Sequence, residues 1–243
     1  MFFQFFLYRF SFFIVYDKIV LGDFMRKLDT ILFDLDGTLI NTNEIIIKSF
    51  NSTFNQYFPN LNISREKIIT FIGPTLFETY IKYTDDTSLI EKIIVSFREF
   101  YGKYEFGNFE IYPQVEEVIK NLYGLGYNLG IVTSKFKTAA WPSFTYYGLE
   151  KYFKVFVALD DVENPKPNKE PIITALSRFP THNKAIMIGD NQTDILAGKN
   201  AGIYSAGVSW SLKGKEHLEE VSPNFMLSDM KDIYRIIKII DKE

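Results

Sequence analysis

Residues 31–42 read ILFDLDGTLINT, and the way this run stops decides the fold. Ile31, Leu32 and Phe33 have the character of a buried strand, yet they lead without any polar buffer into Asp34, Leu35, Asp36 and Gly37. A strand that only had to end could do so on any residue content in water. Two carboxylates one residue apart, followed by a glycine free to take backbone angles closed to other residues, mark a strand end built to hold something.

Beyond that end the chain alternates. Apolar runs fit strands at 29–33, 127–133, 154–159, 184–188 and 203–208, with helical patterns between most of them. In PQVEEVIKNLYGLG, Pro113 opens a predicted helix, Val115, Val118, Ile119 and Leu122 share one face, and Gly124 closes it. TDILAGKNAG and EPIITALSRF read the same way. Such alternation predicts an α/β, Rossmann-like core with a parallel sheet covered on both faces. The stretch after the first strand breaks the rhythm, with helical periodicity and no strand. Ile47, Phe50 and Phe54 share one face there, and Ile90, Ile93, Ile94, Phe97 and Tyr101 another. The expected organisation is a core of residues 25–41 and 112–243, with a helical cap, 42–111, inserted after the first strand.

Composition permits this. A chain of 243 residues, 47% hydrophobic and 23% charged, can bury one large core and a small second one. The 24 Phe and 15 Tyr are assigned mostly to packing. A formal charge of −3, spread over both signs, argues against a nucleic-acid surface. An anionic ligand would therefore have to be attracted by local groups. The absence of cysteine excludes disulfides and thiolate metal sites and fits a reducing cytoplasm. Residues 1–24 stand apart: they hold eight Phe, but Arg9, Asp17 and Lys18 interrupt the apolar runs. The uninterrupted pieces fall short of the roughly 20 apolar residues that span a bilayer. A secretory signal would need a basic start and a small-residue cleavage site. Met25, followed by RKLDTILFDLDG, is a natural domain beginning, so the expectation is that Met25 is the start or that residues 1–24 are a peripheral extension, with a membrane-associated anchor as the alternative; no chemistry is assigned to them and no stable membrane insertion is expected.

In an open parallel sheet, ligands bind beyond the carboxyl ends of the strands, where Asp34 is expected. A carboxylate there can bind a divalent cation or attack an electrophile. Three further segments offer parts at other strand ends: Thr133 and Ser134 in IVTSK, Lys166 between two prolines in NPKPN, and Asp190 and Asp194 in MIGDNQTD. Alone, each has an ordinary reading. Acids suit a helix N-terminus, Thr133 would be a strand-end hydroxyl, Ser134 a bystander, and Lys166 a surface lysine. Together they solve the problem of phosphoryl transfer, in which an anionic nucleophile must approach an anionic phosphate and a cation plus a fixed lysine offset the repulsion. Mg²⁺ prefers a few carboxylates with substrate oxygens and water, and Asp34, Asp190 and a backbone carbonyl near Asp36 would suffice. Calcium loops also contain DxDG, but they continue with further oxygen ligands and a late Glu, which TLINTNEIII does not supply.

In order along the chain, DLDGTL, IVTSK, Lys166 in KPN and GDNQTD resemble the four motifs of the haloacid dehalogenase superfamily, and the resemblance runs from Met25 nearly to the C-terminus. It implies that Asp34 forms an aspartyl-phosphate and that Asp36 is the general acid and base. It further implies that Thr133 holds phosphoryl oxygens, Lys166 orients nucleophile and phosphate, Asp190 ligates Mg²⁺, and Asp194 supports the metal or Lys166 from behind. FIGPTL (71–76), DDVENPKP (160–167), GDNQTDILAGKNAG (189–202) and AGVSWSLKG (206–214) are similar to a bacterial inorganic pyrophosphatase branch. That branch is itself close to phosphoglycolate phosphatases. The implied substrate is pyrophosphate, with phosphoglycolate or another small monoester as the alternative. Gly73, Pro74 and Thr75 would be a cap loop closing over the substrate, or simply a helix break. Arg98 is expected to be a solvated helical arginine, Lys213 a surface lysine, and His182 and His217 structural or exposed. A sugar phosphomutase would carry a histidine where this chain has Ile46, and a dehalogenase would not need Asp36. A binding protein on this fold would have lost a motif residue. The sequence specifies no oligomeric state.

Overall fold

The computed structural model describes residues 27–105 and 109–243; the expectation for residues 1–24 lies outside them. Among the described residues eight strands form: β1 (Leu28–Phe33), β2 (Ile40–Asn41), β3 (Glu110–Ile111), β4 (Asn128–Val132), β5 (Val155–Val157), β6 (Lys184–Gly189), β7 (Tyr204–Val208) and β8 (Phe225–Leu227). Six of them make one sheet in the order β5-β4-β1-β6-β7-β8, every pairing parallel. This is the expected α/β, Rossmann-like architecture. Parallel strands covered on both faces need side chains apolar on both sides, and β1 supplies them. Ile31 and Phe33 join the large core cluster on one face, while Leu32 packs on the other with Val132, Val157 and Ile172.

Helices α1 (Asn43–Tyr57), α2 (Arg65–Ile69), α3 (Leu76–Tyr80) and α4 (Thr87–Glu105) lie between β2 and β3. They pack on aromatic rings. Phe50 meets Phe97 edge-on at 4.7 Å between centroids, and Phe54 stacks on Phe71 at 5.6 Å. The Tyr80 hydroxyl, inside this cluster, finds its partner in Thr53 Oγ1 at 2.6 Å. The periodic faces read from sequence are the buried ones, including Ile47, Phe50, Phe54, Ile90, Ile93, Phe97 and Tyr101.

Three departures have local causes. The antiparallel ribbon of β2 and β3, two residues each, joins both ends of the inserted helices. Two residues are too few to show alternation. Strand β8 is three residues long and follows a proline at 223, so it too carries no pattern. Helix α5 (Val115–Gly124) begins two residues after Pro113, because Gln114 adopts a left-handed conformation with φ 68° that holds the proline outside. The remaining helices are α6 (Lys137–Tyr146), α7 (Glu170–Ser177), α8 (Gln192–Asn200), α9 (Lys215–Glu219) and α10 (Asp232–Lys242). Among the described residues no helix is long and apolar enough to cross a membrane.

Candidate active site

From β1 the chain visits β4 and β5 on one side, then crosses to β6, β7 and β8 on the other. The strand order reverses between β1 and β6, and at such a point a crevice opens beyond the carboxyl ends. Asp34 directly follows β1 and Asp190 directly follows β6. Phe33 pairs with both Ile131 and Ile188, so Thr133 and Asp190 each stand one residue further along than Asp34. Backbone hydrogen bonds extend the sheet into this rim, from Asp34 N to Ile188 O and from Thr133 N to Val157 O, both 2.9 Å.

Lys166 reaches the rim from the loop before α7 and is only 3% exposed. Its ammonium donates to Asp34 Oδ1 at 2.7 Å, Asp194 Oδ1 at 2.5 Å and the Val132 carbonyl at 2.8 Å. All three of its protons are therefore engaged. The Lys166–Pro167 peptide is cis. Asp194 Oδ2 accepts from Asn191 N at 3.0 Å at the start of α8, and Asp190 Oδ1 accepts from the Asn191 side-chain amide at 2.9 Å. Asp34, Asp190 and Asp194 are all buried and offer oxygens within 4.8 Å of one another.

This concentration of acid perturbs its members. Burial pushes the Asp34 carboxyl up to about 7, against the opposing pull of Lys166 and with Asp194 adding to the rise. Asp190 is raised well above the usual carboxylate range by burial and then by the charges of Asp34 and Asp194. Burial works against the charged form of Lys166, but Asp194 and Asp34 outweigh it and hold its pKa above the ordinary lysine value. One ammonium facing three buried carboxylates leaves an excess of negative charge. The donor set, all oxygen, fits a hard divalent cation.

Gly37 makes room for this arrangement. It sits at φ +83°, and a Cβ there would lie 2.3 Å from Asp190 Oδ2. Gly37→Ala is expected to displace the Asp190 carboxylate and weaken divalent-cation affinity by about 10–100-fold, the cost of disturbing the groups that orient a metal ligand. Calorimetric titration with Mg²⁺ checks this, and unchanged affinity would remove Asp190 from the cation site.

The other residues named from sequence meet at a cavity of about 880 Å³, lined by Asp34, Asp36, Thr133, Ser134, Lys166 and Asp194, with Gly73 and Thr75 across from them. Asp36 is the exception within the acidic set, since its carboxylate stands outside the cluster of three. Its Oδ1 accepts from Thr42 Oγ1 at 2.6 Å and from Lys135 Nζ at 3.0 Å. Thr133 Oγ1 accepts from Lys135 N at 3.2 Å. Thr75 caps α3, its hydroxyl oxygen accepting from Glu78 N at 3.2 Å. Gly73 has φ +108° and packs so tightly on Asn191 that a Cβ would lie 2.6 Å from its Oδ1. The 73–75 loop is thus both a helix start and a wall of the cavity.

Residues to which the sequence gives no part in the site also belong here. Lys135 is the foremost, with Nζ bonded to Asp36 and, at 2.8 Å, to the Tyr101 hydroxyl. Burial would lower its pKa, but Asp36 and Tyr101 overcome that and hold it above the usual lysine range. Its signal was adjacency to Thr133 and Ser134 in IVTSK. Tyr101 shows in the sequence only as core, because periodicity locates a buried face without saying what its end touches. Lys213 is half-buried rather than on the surface, and it donates to the Ile72 carbonyl at 2.5 Å, tying the segment just before the 73–75 loop to the loop that follows β7. Arg98 is exposed as expected, yet its guanidinium lies 4.2 Å from the Phe136 ring centroid at the cavity mouth.

Comparison with known proteins agrees with this geometry. The haloacid dehalogenase-like hydrolase family matches residues 31–208. The chain is 43% identical over 217 residues to pyrophosphatase PpaX of Bacillus cereus, spanning 89% of this chain and 99% of that one. Among solved structures, a predicted phosphoglycolate phosphatase from Haemophilus somnus superposes with a TM-score of 0.76 at 25% identity, covering 87% of this chain and 99% of that one. A predicted phosphatase from Clostridium acetobutylicum gives 0.76 at 24% identity over 87% and 99%, a likeness of fold. The sheet order, the acidic strand ends and a family match across most of the length lead to one conclusion: the chain belongs to the haloacid dehalogenase-like hydrolases.

Proposed function

We propose that this chain is a Mg²⁺-dependent phosphohydrolase that works through an aspartyl-phosphate on Asp34 and takes inorganic pyrophosphate as its substrate. The observation that carries the chemistry is the Asp34 carboxylate at a parallel-strand end, fixed by Lys166 at 2.7 Å, with a second, separately held carboxylate two residues on. In this reading Asp34 attacks phosphorus, and Asp36 gives a proton to the leaving group and then takes one from the attacking water. Thr133 and Ser134 hold phosphoryl oxygens at the rim, and Lys166 keeps the nucleophile oriented. Asp34 and Asp190, with the carbonyl at Asp36, would hold Mg²⁺, and Asp194 would support them by anchoring Lys166. When bound, the ion supplies charge neutralisation at the transferring phosphoryl group. The inserted helices act as a cap, and the 73–75 loop together with Phe136 would screen the site from bulk water.

The pyrophosphate assignment rests on the 43% identity to pyrophosphatase PpaX across that protein's whole length. A small phosphate monoester such as phosphoglycolate is the second reading. It draws on the cavity, which at about 880 Å³ lies in the range that holds organic ligands. Ile46 lines the same cavity without offering a proton-transfer group, which speaks against a mutase. The proposed compartment is the cytoplasm, where a chain without cysteine folds independently of redox state.

Phosphate release from pyrophosphate, phosphoglycolate, sugar phosphates and nucleotides, each with Mg²⁺ and with chelator, tests this. Marked, Mg²⁺-dependent preference for pyrophosphate is the expected result. Preference for a monoester would move the substrate to the second reading, and no release from any of them would overturn the phosphohydrolase.

A further inference from the structure

We propose that Lys135, steadied by Tyr101 from α4, is a positioning residue that fixes which oxygen of Asp36 handles the proton. The inference rests on the reading of Asp36 as general acid and base. Both hydrogen bonds that the described residues make to the Asp36 side chain end on Oδ1, one from Thr42 Oγ1 at 2.6 Å and one from Lys135 Nζ at 3.0 Å. An oxygen already accepting two donors has no lone pair left for a proton. Oδ2 is therefore the oxygen that carries it.

Lys135 owes its position to the inserted helices as much as to the sheet. Nζ bonds the Tyr101 hydroxyl at 2.8 Å and lies 4.0 Å from the centre of that ring. Tyr101 is 4% exposed and cannot swing away without α4. One turn further on, Glu105 lines the same cavity, and its buried Oε1 makes no hydrogen bond among the described residues. A lysine on the sheet rim is thus held between the acid of the core and the aromatic and acidic groups of α4.

The chemistry assigns a consequence. As the bond from Asp34 oxygen to phosphorus forms, the bond from phosphorus to the leaving oxygen breaks. Its electron pair goes to that oxygen, which takes the proton from Asp36 Oδ2. The carboxylate left behind remains paired with Lys135. In the second step a water oxygen bonds to phosphorus, Oδ2 accepts the water's proton, and the bond from phosphorus to Asp34 breaks. Loss of Lys135 leaves Oδ1 with Thr42 as its remaining donor and loosens the aim of the Asp36 carboxyl, and the first step suffers in proportion to the leaving group's need for a proton.

Phenyl phosphate and 4-nitrophenyl phosphate measure this need, and the cavity has room for either ring. Phenol, with a pKa of about 10, leaves poorly as an anion, whereas 4-nitrophenolate departs unprotonated. The quantity read is kcat/KM, which reports the first chemical step, for wild type, Lys135→Met, Tyr101→Phe and Asp36→Asn. Lys135→Met is expected to lose about tenfold or more on phenyl phosphate and less than about threefold on 4-nitrophenyl phosphate, part of the 10²–10⁴ that a general acid supplies. Tyr101→Phe should lose in the same order with smaller size, and it carries the test if Lys135→Met does not fold. Equal losses on both esters would assign Lys135 to anion binding and overturn the proposal. If Asp36→Asn itself fails to separate the two esters, the reading of Asp36 falls instead.

Discussion

Asp34→Asn is expected to abolish turnover and leave the fold standing. Removing a nucleophile or its essential partner costs on the order of 10⁴–10⁶-fold in other hydrolytic enzymes, and asparagine cannot form the acyl-phosphate. The fold should survive because the amide keeps an oxygen where Lys166 donates at 2.7 Å, and Lys166 remains paired with Asp194. Stability should even move in the opposite direction to activity. The Asp34 carboxyl is raised from 3.8 to about 7 on folding, so the folded state binds its proton more tightly than the unfolded state does. Such a group costs stability once ionised, and the cost grows as pH rises from about 4 to about 7 and is complete above that. In chelator at pH 8 the Asn variant should therefore melt no lower than wild type, and the two should converge near pH 4. Full activity in the variant would remove Asp34 from the chemistry, and a lower melting temperature at pH 8 would contradict the charge argument.

Much of this site was legible because strand ends are punctuated. A buried run stopping on Asp34-Leu35-Asp36-Gly37 cannot be explained by a turn alone, while Ile188-Gly189-Asp190, ordinary by itself as acid at a helix start, gains meaning beside it. Parallel topology then carries separate strand ends to one rim, which accounts for Thr133 and Asp190, whereas Lys166, in the loop before α7, and Asp194, within α8, are legible only through the order of the motifs. The groups that were missed act across the boundary between sheet and inserted helices. Tyr101 has the periodicity of any core residue, and Lys135 the polarity of any loop. Only the fold puts Nζ 2.8 Å from the phenol. Lys213 is a similar case, because its partner is a backbone carbonyl at Ile72, and backbone acceptors leave no mark in a sequence. The ribbon of β2 and β3 and the three residues of β8 escaped for a plainer reason, being shorter than the pattern that would identify them.

Lys166→Met should damage stability and chemistry together, in contrast to Asp34→Asn. The ammonium bridges Asp34 and Asp194, which lie with Asp190 in a space where oxygens approach within 4.8 Å. Replacing a buried pair by apolar groups on both sides is often tolerated, but removing one partner strands the other, at a cost of about 3–5 kcal/mol. Here two carboxylates are stranded by one substitution, and the Val132 carbonyl at the end of β4 loses its donor as well. For a chain of this length each kcal/mol is worth about 2–4 °C, so the melting temperature should fall by roughly 6–20 °C. Turnover should be lost as well, since the nucleophile is no longer held. Mg²⁺ offers a way to separate the two effects. An added cation relieves the same repulsion that the ammonium relieved, so it should raise the melting temperature of Lys166→Met by more than that of wild type. It should not restore phosphate release, because a metal does not replace the hydrogen bond that aims Asp34. A variant that melts with wild type in chelator would show that the lysine serves chemistry alone. A variant that recovers turnover with Mg²⁺ would show that charge, and not aim, is what Lys166 contributes.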